Sequence, residues 1–143
     1  RRMRTEVTAT NSLQRNGVGM KTKSGLVELD FENVVNAEEN VNDLYVLMKA
    51  IFSHGAAIIR NCPPILEGPS ASVAKVGVAL AGSLSHGQLY GDIFNVRSTS
   101  NAINIAYTSI PLRPHQDLAY YESMPGLQLL HCAAMHPNIV GGE

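Results

Sequence analysis

Apolar positions along this chain change period more than once, and the changes mark its elements. Residues 1 to 25 are rich in Arg, Lys, Thr, Asn and Gly, with Asn16-Gly17 and Ser24-Gly25 as turn signals. No period is sustained there, so a poorly ordered segment is expected. Leu26 to Phe31 alternates in part and fits a short edge strand. From Asn40 the spacing becomes helical: Val41, Leu44, Leu47, Met48, Ile51 and Phe52 recur, with Asn40 or Asn42 as N-cap and Gly55 just past the end. This pattern predicts an amphipathic helix of about three turns. His54 falls in its last turn, where an imidazolium complements the helix dipole.

Ala56 to Arg60 is short, apolar and β-branched, which fits a buried strand, and Pro63-Pro64 then force a loop. A second helix is predicted from Pro69 to about Leu80, with Val73, Val76, Gly77 and Leu80 on one face, Lys75 turned away and Gly82 as terminator. His86 follows in a Ser-His-Gly loop, where a solvent role is expected. Beyond Tyr90 the pattern shortens into strand-like pieces, Ile93 to Val96, Ile103 to Thr108 and Gly126 to Cys132. Helices followed by strands fit an α+β domain with helices flanking an antiparallel sheet.

With 45% hydrophobic and 16% charged residues, the composition is that of a globular domain. A net charge of −1 gives no broad basic field for nucleic acid. No apolar run approaches membrane-spanning length, so neither nucleic acid nor membrane is expected as a partner. Cys62 and Cys132 are the only cysteines, and without a secretory signal the simplest reading is a reduced, intracellular protein. The Arg1-Arg2-Met3-Arg4 start also fits mitochondrial targeting, so cytoplasmic and mitochondrial locations both stay open. A start at Arg and an end at Gly141-Gly142-Glu143 are read as the bounds of a fragment of a longer protein.

The chemistry centres on His115 and Asp117. In a strand, two residues apart share a face, and an imidazole nitrogen and a carboxylate oxygen could then meet on one metal ion, as two of the three ligands of a facial triad do. Spacing alone is a weak signal, since many such pairs are surface residues. The surroundings are more specific. Tyr90-Gly91-Asp92-Ile93-Phe94-Asn95-Val96, Asn104-Ile105-Ala106-Tyr107-Thr108, Pro114-His115-Gln116-Asp117 and Met124-Pro125-Gly126-Leu127-Gln128-Leu129-Leu130-His131-Cys132 follow in an order and spacing that resemble the gamma-butyrobetaine dioxygenase family. Related enzymes act on trimethyllysine, and both belong among the taurine dioxygenase-like Fe(II)/2-oxoglutarate oxygenases. The resemblance continues weakly back to about Leu29.

The resemblance implies the N-terminal part of a double-stranded β-helix, or jelly-roll, over residues 26–143. It implies Fe(II) held by His115 and Asp117, 2-oxoglutarate as co-substrate, ascorbate as a further cofactor, and a parent that forms a homodimer. The reaction implied is hydroxylation of a small trimethylammonium substrate with oxygen, coupled to conversion of 2-oxoglutarate to succinate and carbon dioxide, as in carnitine biosynthesis. The distal histidine and the 2-oxoglutarate-binding arginine of the family lie downstream of Glu143.

Tyr90, Phe94 and Tyr107 match three aromatic positions of the family's cation cage. Ring faces suit a quaternary ammonium, which has no N–H to donate; the alternative is ordinary core packing. Asn104 matches a substrate-facing asparagine, with a turn or ladder role as the alternative. Leu130 matches a position lining the 2-oxoglutarate pocket, with core packing as the alternative. Two positions depart from the family: Leu118 stands where tyrosine is common and Phe94 where tryptophan is typical. Both lower cation–π capacity, with Tyr120 or Tyr121 as candidates to compensate. His131 and His136 do not fall at the family's distal-ligand position. The competing readings are a trimethyllysine dioxygenase-like paralogue with another substrate, a non-catalytic β-helix binding protein, and a zinc hydrolase built on His115 and Asp117.

Overall fold

The computed structural model describes residues 25–87, 90–108, 110–134 and 137–138, together with the backbone of residues 3–8 and 20–21. Among them, strands β1 (Met3–Thr8), β2 (Met20–Lys21), β3 (Val27–Asp30), β4 (Ile58–Arg60) and β5 (Leu127–Cys132) form one sheet in the order β2-β3-β4-β1-β5. Strand β4 runs parallel to both β3 and β1, β1 runs parallel to β5, and β2 pairs antiparallel with β3. The sequence pattern instead suggests an antiparallel sheet with the helices gathered first.

The reason for this difference lies between β3 and β4. Helices α1 (Phe31–Val35) and α2 (Val41–His54) occupy that connection, and a crossover of this length lets two strands run in the same direction. Helix and strand are mixed as expected, but among the described residues the short β2–β3 pair is the one antiparallel ladder, and a jelly-roll is not seen. β3 is an interior strand, with Leu29 only 6% exposed, because β2 covers the side that was expected to be an edge. β1 and β2 lie within residues 1–25, where the composition suggests little order. Their partners are remote in sequence, and such pairing leaves no local period to read.

Helix α1 follows directly from β3 because the Asp30 side chain accepts a hydrogen bond from the Glu32 N–H at 3.0 Å, an N-cap. Helix α2 ends at Gly55, whose left-handed φ of 79° lets its N–H reach the Ile51 carbonyl. Helix α3 (Ser72–Ala81) ends in the same way at Gly82. It begins three residues later than Pro69, because the Ser72 N–H bonds back to Ile65 and its hydroxyl donates to the Pro63 carbonyl. Gly77 faces Leu84 and Leu129 so closely that a Cβ would collide with the Leu84 side chain. Glycine there leaves room for the Leu84 side chain against α3.

The core joins Leu29, Phe31, Val34, Leu47, Ala50, Ile51, Ile59 and Val76, drawn from β3, all three helices and β4. Cys62 is buried in the same cluster, and desolvation, then the charge of Asp30, pushes its thiol up to about 12. It is a packing residue rather than a nucleophile. The apolar pattern of α2 splits into two faces. Leu47, Ala50 and Ile51 are buried, whereas Val41, Tyr45, Met48 and Phe52 form an exposed stripe. No helix among the described residues is long and apolar enough to cross a membrane.

β3 and β4 are pinned in register by Arg60, whose Nε and Nη2 donate to the two carboxylate oxygens of Glu28 at 2.8 and 2.9 Å. These hydrogen bonds hold the Glu28 carboxyl below its ordinary value of 4.5, against a smaller opposing effect of burial. A carboxyl lowered on folding stabilises the fold above the unfolded value, and that contribution is lost as pH falls through the folded one. Glu28→Gln is therefore expected to cost about 1–2 kcal/mol at neutral pH. The difference from the parent should shrink towards zero as pH is lowered below about 4. A urea titration series across pH checks this; a difference that stays constant down to pH 3 would contradict it.

Candidate metal and substrate site

His115 and Asp117 lie on an irregular segment and turn, not in a strand. Directly after Asp117 the chain enters the left-handed region at Leu118, with φ of 53°. The turn closes with the Tyr121 N–H donating to the Leu118 carbonyl at 3.2 Å. A branched side chain held there costs roughly 1–2 kcal/mol, so the surrounding structure sustains a strained residue beside the carboxylate.

His115 Nδ1 lies 2.8 Å from the Arg113 carbonyl oxygen. A carbonyl only accepts, so Nδ1 carries the proton and Nε2 is the nitrogen turned towards Asp117. Nε2 and Asp117 Oδ1 are 3.2 Å apart. Two ligands bound at right angles to one ion, each at ~2.1 Å, stand ~3 Å from each other. The donor chemistry and separation therefore fit a shared divalent ion. Without a metal the same contact is a half-exposed histidine–aspartate pair, and a surface pair of this kind is worth about 0–1 kcal/mol.

Asp117 is supported from the sheet, because Gln128 Nε2 donates to its other oxygen, Oδ2. Alternation along β5 puts Leu130 on the same face as Gln128, and Leu130 is 47% exposed. Leu127 and Leu129 take the opposite face and pack on the core. His131 shares that opposite face, with both ring nitrogens buried. Desolvation lowers its pKa, against a smaller opposing effect of the Cys62 backbone. Among the described residues, no third His, Cys, Asp or Glu joins His115 and Asp117. His136 lies outside the described residues.

Tyr90, Phe94 and Tyr107 come together although none is in a strand. The first two ring centroids are 4.5 Å apart, and Phe94 and Tyr107 are 5.7 Å apart, both pairs tilted. The strands expected at 93–96 and 103–108 are not formed. Ile103 is 99% exposed, and the Asn104 side chain caps a 3-10 turn over Ile105–Tyr107 by accepting from the Ala106 N–H at 2.9 Å. That capping bond orients Tyr107. It is the turn role weighed for Asn104 as the alternative to substrate contact.

Tyr120 stacks on Tyr121, with ring centroids 5.1 Å apart. Local desolvation, then Tyr90, Tyr121 and Asp117, raise its hydroxyl pKa. The sequence offers Tyr120 only as a compensating aromatic. His86, expected to face solvent, is exposed but paired with Asp92 at 2.8 Å.

A histidine–aspartate pair with matched donor separation, in a chain that also gathers a three-ring aromatic cluster, fits the class of metal-dependent oxygenases of small molecules. The taurine catabolism dioxygenase TauD, TfdA family matches residues 17–143, and the chain belongs to that family. TauD-like dioxygenases use Fe(II) and 2-oxoglutarate. The chain is 37% identical over 89 residues to dioxygenase str8 of Strobilurus tenacellus, covering 62% of this chain and 20% of that protein. It is 30% identical over 121 residues to human gamma-butyrobetaine dioxygenase, covering 82% of this chain and 28% of that protein. With rat mitochondrial trimethyllysine dioxygenase it shares 25% identity over 107 residues, covering 75% and 23%. The chain thus spans between a fifth and somewhat over a quarter of these relatives' length. No solved structure matches it.

Proposed function

We propose that the protein to which this chain belongs is an Fe(II)- and 2-oxoglutarate-dependent dioxygenase that hydroxylates a small trimethylammonium substrate such as gamma-butyrobetaine. The observation that carries this reading is the 3.2 Å separation of His115 Nε2 and Asp117 Oδ1, in a chain that also brings the rings of Tyr90, Phe94 and Tyr107 together. In this reading His115 and Asp117 hold the iron, which when bound supplies oxygen activation and chelation of the 2-oxo acid. The Arg113 carbonyl fixes the imidazole tautomer, and Gln128 orients the carboxylate. The stacked rings receive the quaternary cation on their faces, while Asn104 sets the angle of Tyr107 and Leu130 lines the 2-oxoglutarate side. Leu118 and Phe94 favour, as a second reading, a trimethyllysine dioxygenase-like paralogue with a different amine.

Loss of one desolvated cation–π contact worth some 1–2 kcal/mol weakens binding by about tenfold or more. Tyr107→Ala in the full-length protein is therefore expected to raise the dissociation constant for gamma-butyrobetaine by that factor, measured by calorimetry. An unchanged affinity in a folded variant would remove the cage from this account.

A further inference from the structure

We infer that Arg97 is the carboxylate-recognising residue of the substrate site, so that the preferred substrate is a zwitterion bearing its cation and carboxylate at opposite ends. This deepens the proposed function and rests on its aromatic cage. Arg97 and Tyr107 line one surface cleft of about 350 Å³, together with Asn95, Asn101 and Ile103. The segment carrying Arg97 is tied to Tyr107 at two points. Phe94, three residues before it, packs its ring on that of Tyr107, and the Thr99 N–H, two residues after it, donates to the Tyr107 carbonyl at 3.0 Å. Arg97 is exposed.

Among the described residues, no acidic side chain lines this cleft. Its described lining combines one guanidinium, two amides and the Tyr107 side chain, with no carboxylate to neutralise the cation. A guanidinium presents its N–H groups as a planar fork that matches a carboxylate. A bare quaternary cation would meet the ring beside an uncompensated positive charge, whereas a zwitterion satisfies both ends. The same arginine thus attracts one ligand class and repels the other, the combination from which specificity arises.

The test uses the full-length protein loaded with metal, with gamma-butyrobetaine as the zwitterion and tetramethylammonium as the bare cation. Arg97→Gln is expected to raise the dissociation constant for gamma-butyrobetaine tenfold or more and to leave tetramethylammonium binding no weaker. Arg97→Lys should fall between Arg97→Gln and the parent. The 2-oxoglutarate concentration giving half-maximal turnover should stay unchanged. Equal weakening of both cations, no change in gamma-butyrobetaine binding, or a selective rise in the 2-oxoglutarate requirement would each overturn the assignment. Tyr107→Ala reads the cage separately, because it should weaken both compounds. Loss with Arg97→Gln alone would retain the carboxylate contact and reject the cage, while loss with Tyr107→Ala alone would do the reverse.

Discussion

Asp117→Ala in the full-length protein is expected to abolish iron-dependent conversion of 2-oxoglutarate to succinate, and His115→Ala to do the same. Gln128→Ala supplies the scale. Removing a group that only orients a metal-binding carboxylate typically costs 10–100-fold in metal affinity or activity. Gln128 donates to Asp117 Oδ2, so its loss should fall within about that range. The two donors 3.2 Å apart should each cost more than that. Succinate assays of the three variants, with folding checked by circular dichroism, decide the order. Gln128→Ala as damaging as Asp117→Ala would make the Asp117 contact a structural staple rather than a metal-binding arrangement.

The second large effect concerns the core. Leu47 is fully buried among Leu29, Phe31, Ile51 and Ile59, and truncating such a leucine removes its burial and leaves a cavity. Leu47→Ala is expected to cost about 2–5 kcal/mol, a large part of the roughly 5–15 kcal/mol that holds a typical domain together. Phe52→Ala, five residues further along α2, removes a larger side chain that is 81% exposed, and should stay within about 0.5 kcal/mol. Denaturant midpoints of the two variants report which face of α2 is packed. Equal losses would mean that a partner covers the exposed stripe.

That split face marks the boundary of what sequence reading reaches. Period and terminating glycines reveal α2 and α3, since Gly55 and Gly82 both adopt the left-handed conformation expected after a helix. They cannot say which of two apolar stripes on α2 faces the core, because that depends on what packs beside it. Sheet direction was equally hidden. β4 lies between β3 and β1 through pairings that no local pattern records, and the helical crossover between β3 and β4 makes parallel pairing possible. Apolar runs at 93–96 and 103–108 resemble strands by composition, but Asn104 caps a turn and Ile103 points into solvent.

The sequence picks out residues that the structure brings together, and not the geometry that does so. His115 and Asp117 approach each other, yet a turn with Leu118 in a left-handed conformation brings about what strand alternation was expected to do. Tyr90, Phe94 and Tyr107 also meet, on irregular chain rather than one strand face. Arg97 carried no sequence signal at all. It lines a cleft with Tyr107 because Phe94 and the Thr99 N–H both tie its segment to that residue.

The central claim is that His115 and Asp117 share one metal ion, and anaerobic equilibrium binding of Fe(II) to the full-length protein tests it most directly. The expected result is one ion per chain, with affinity weakened at least tenfold by His115→Ala and by Asp117→Ala but unchanged by His131→Ala, whose ring lies on the other face of β5. Binding that survives both His115→Ala and Asp117→Ala at the parent's affinity would contradict the account.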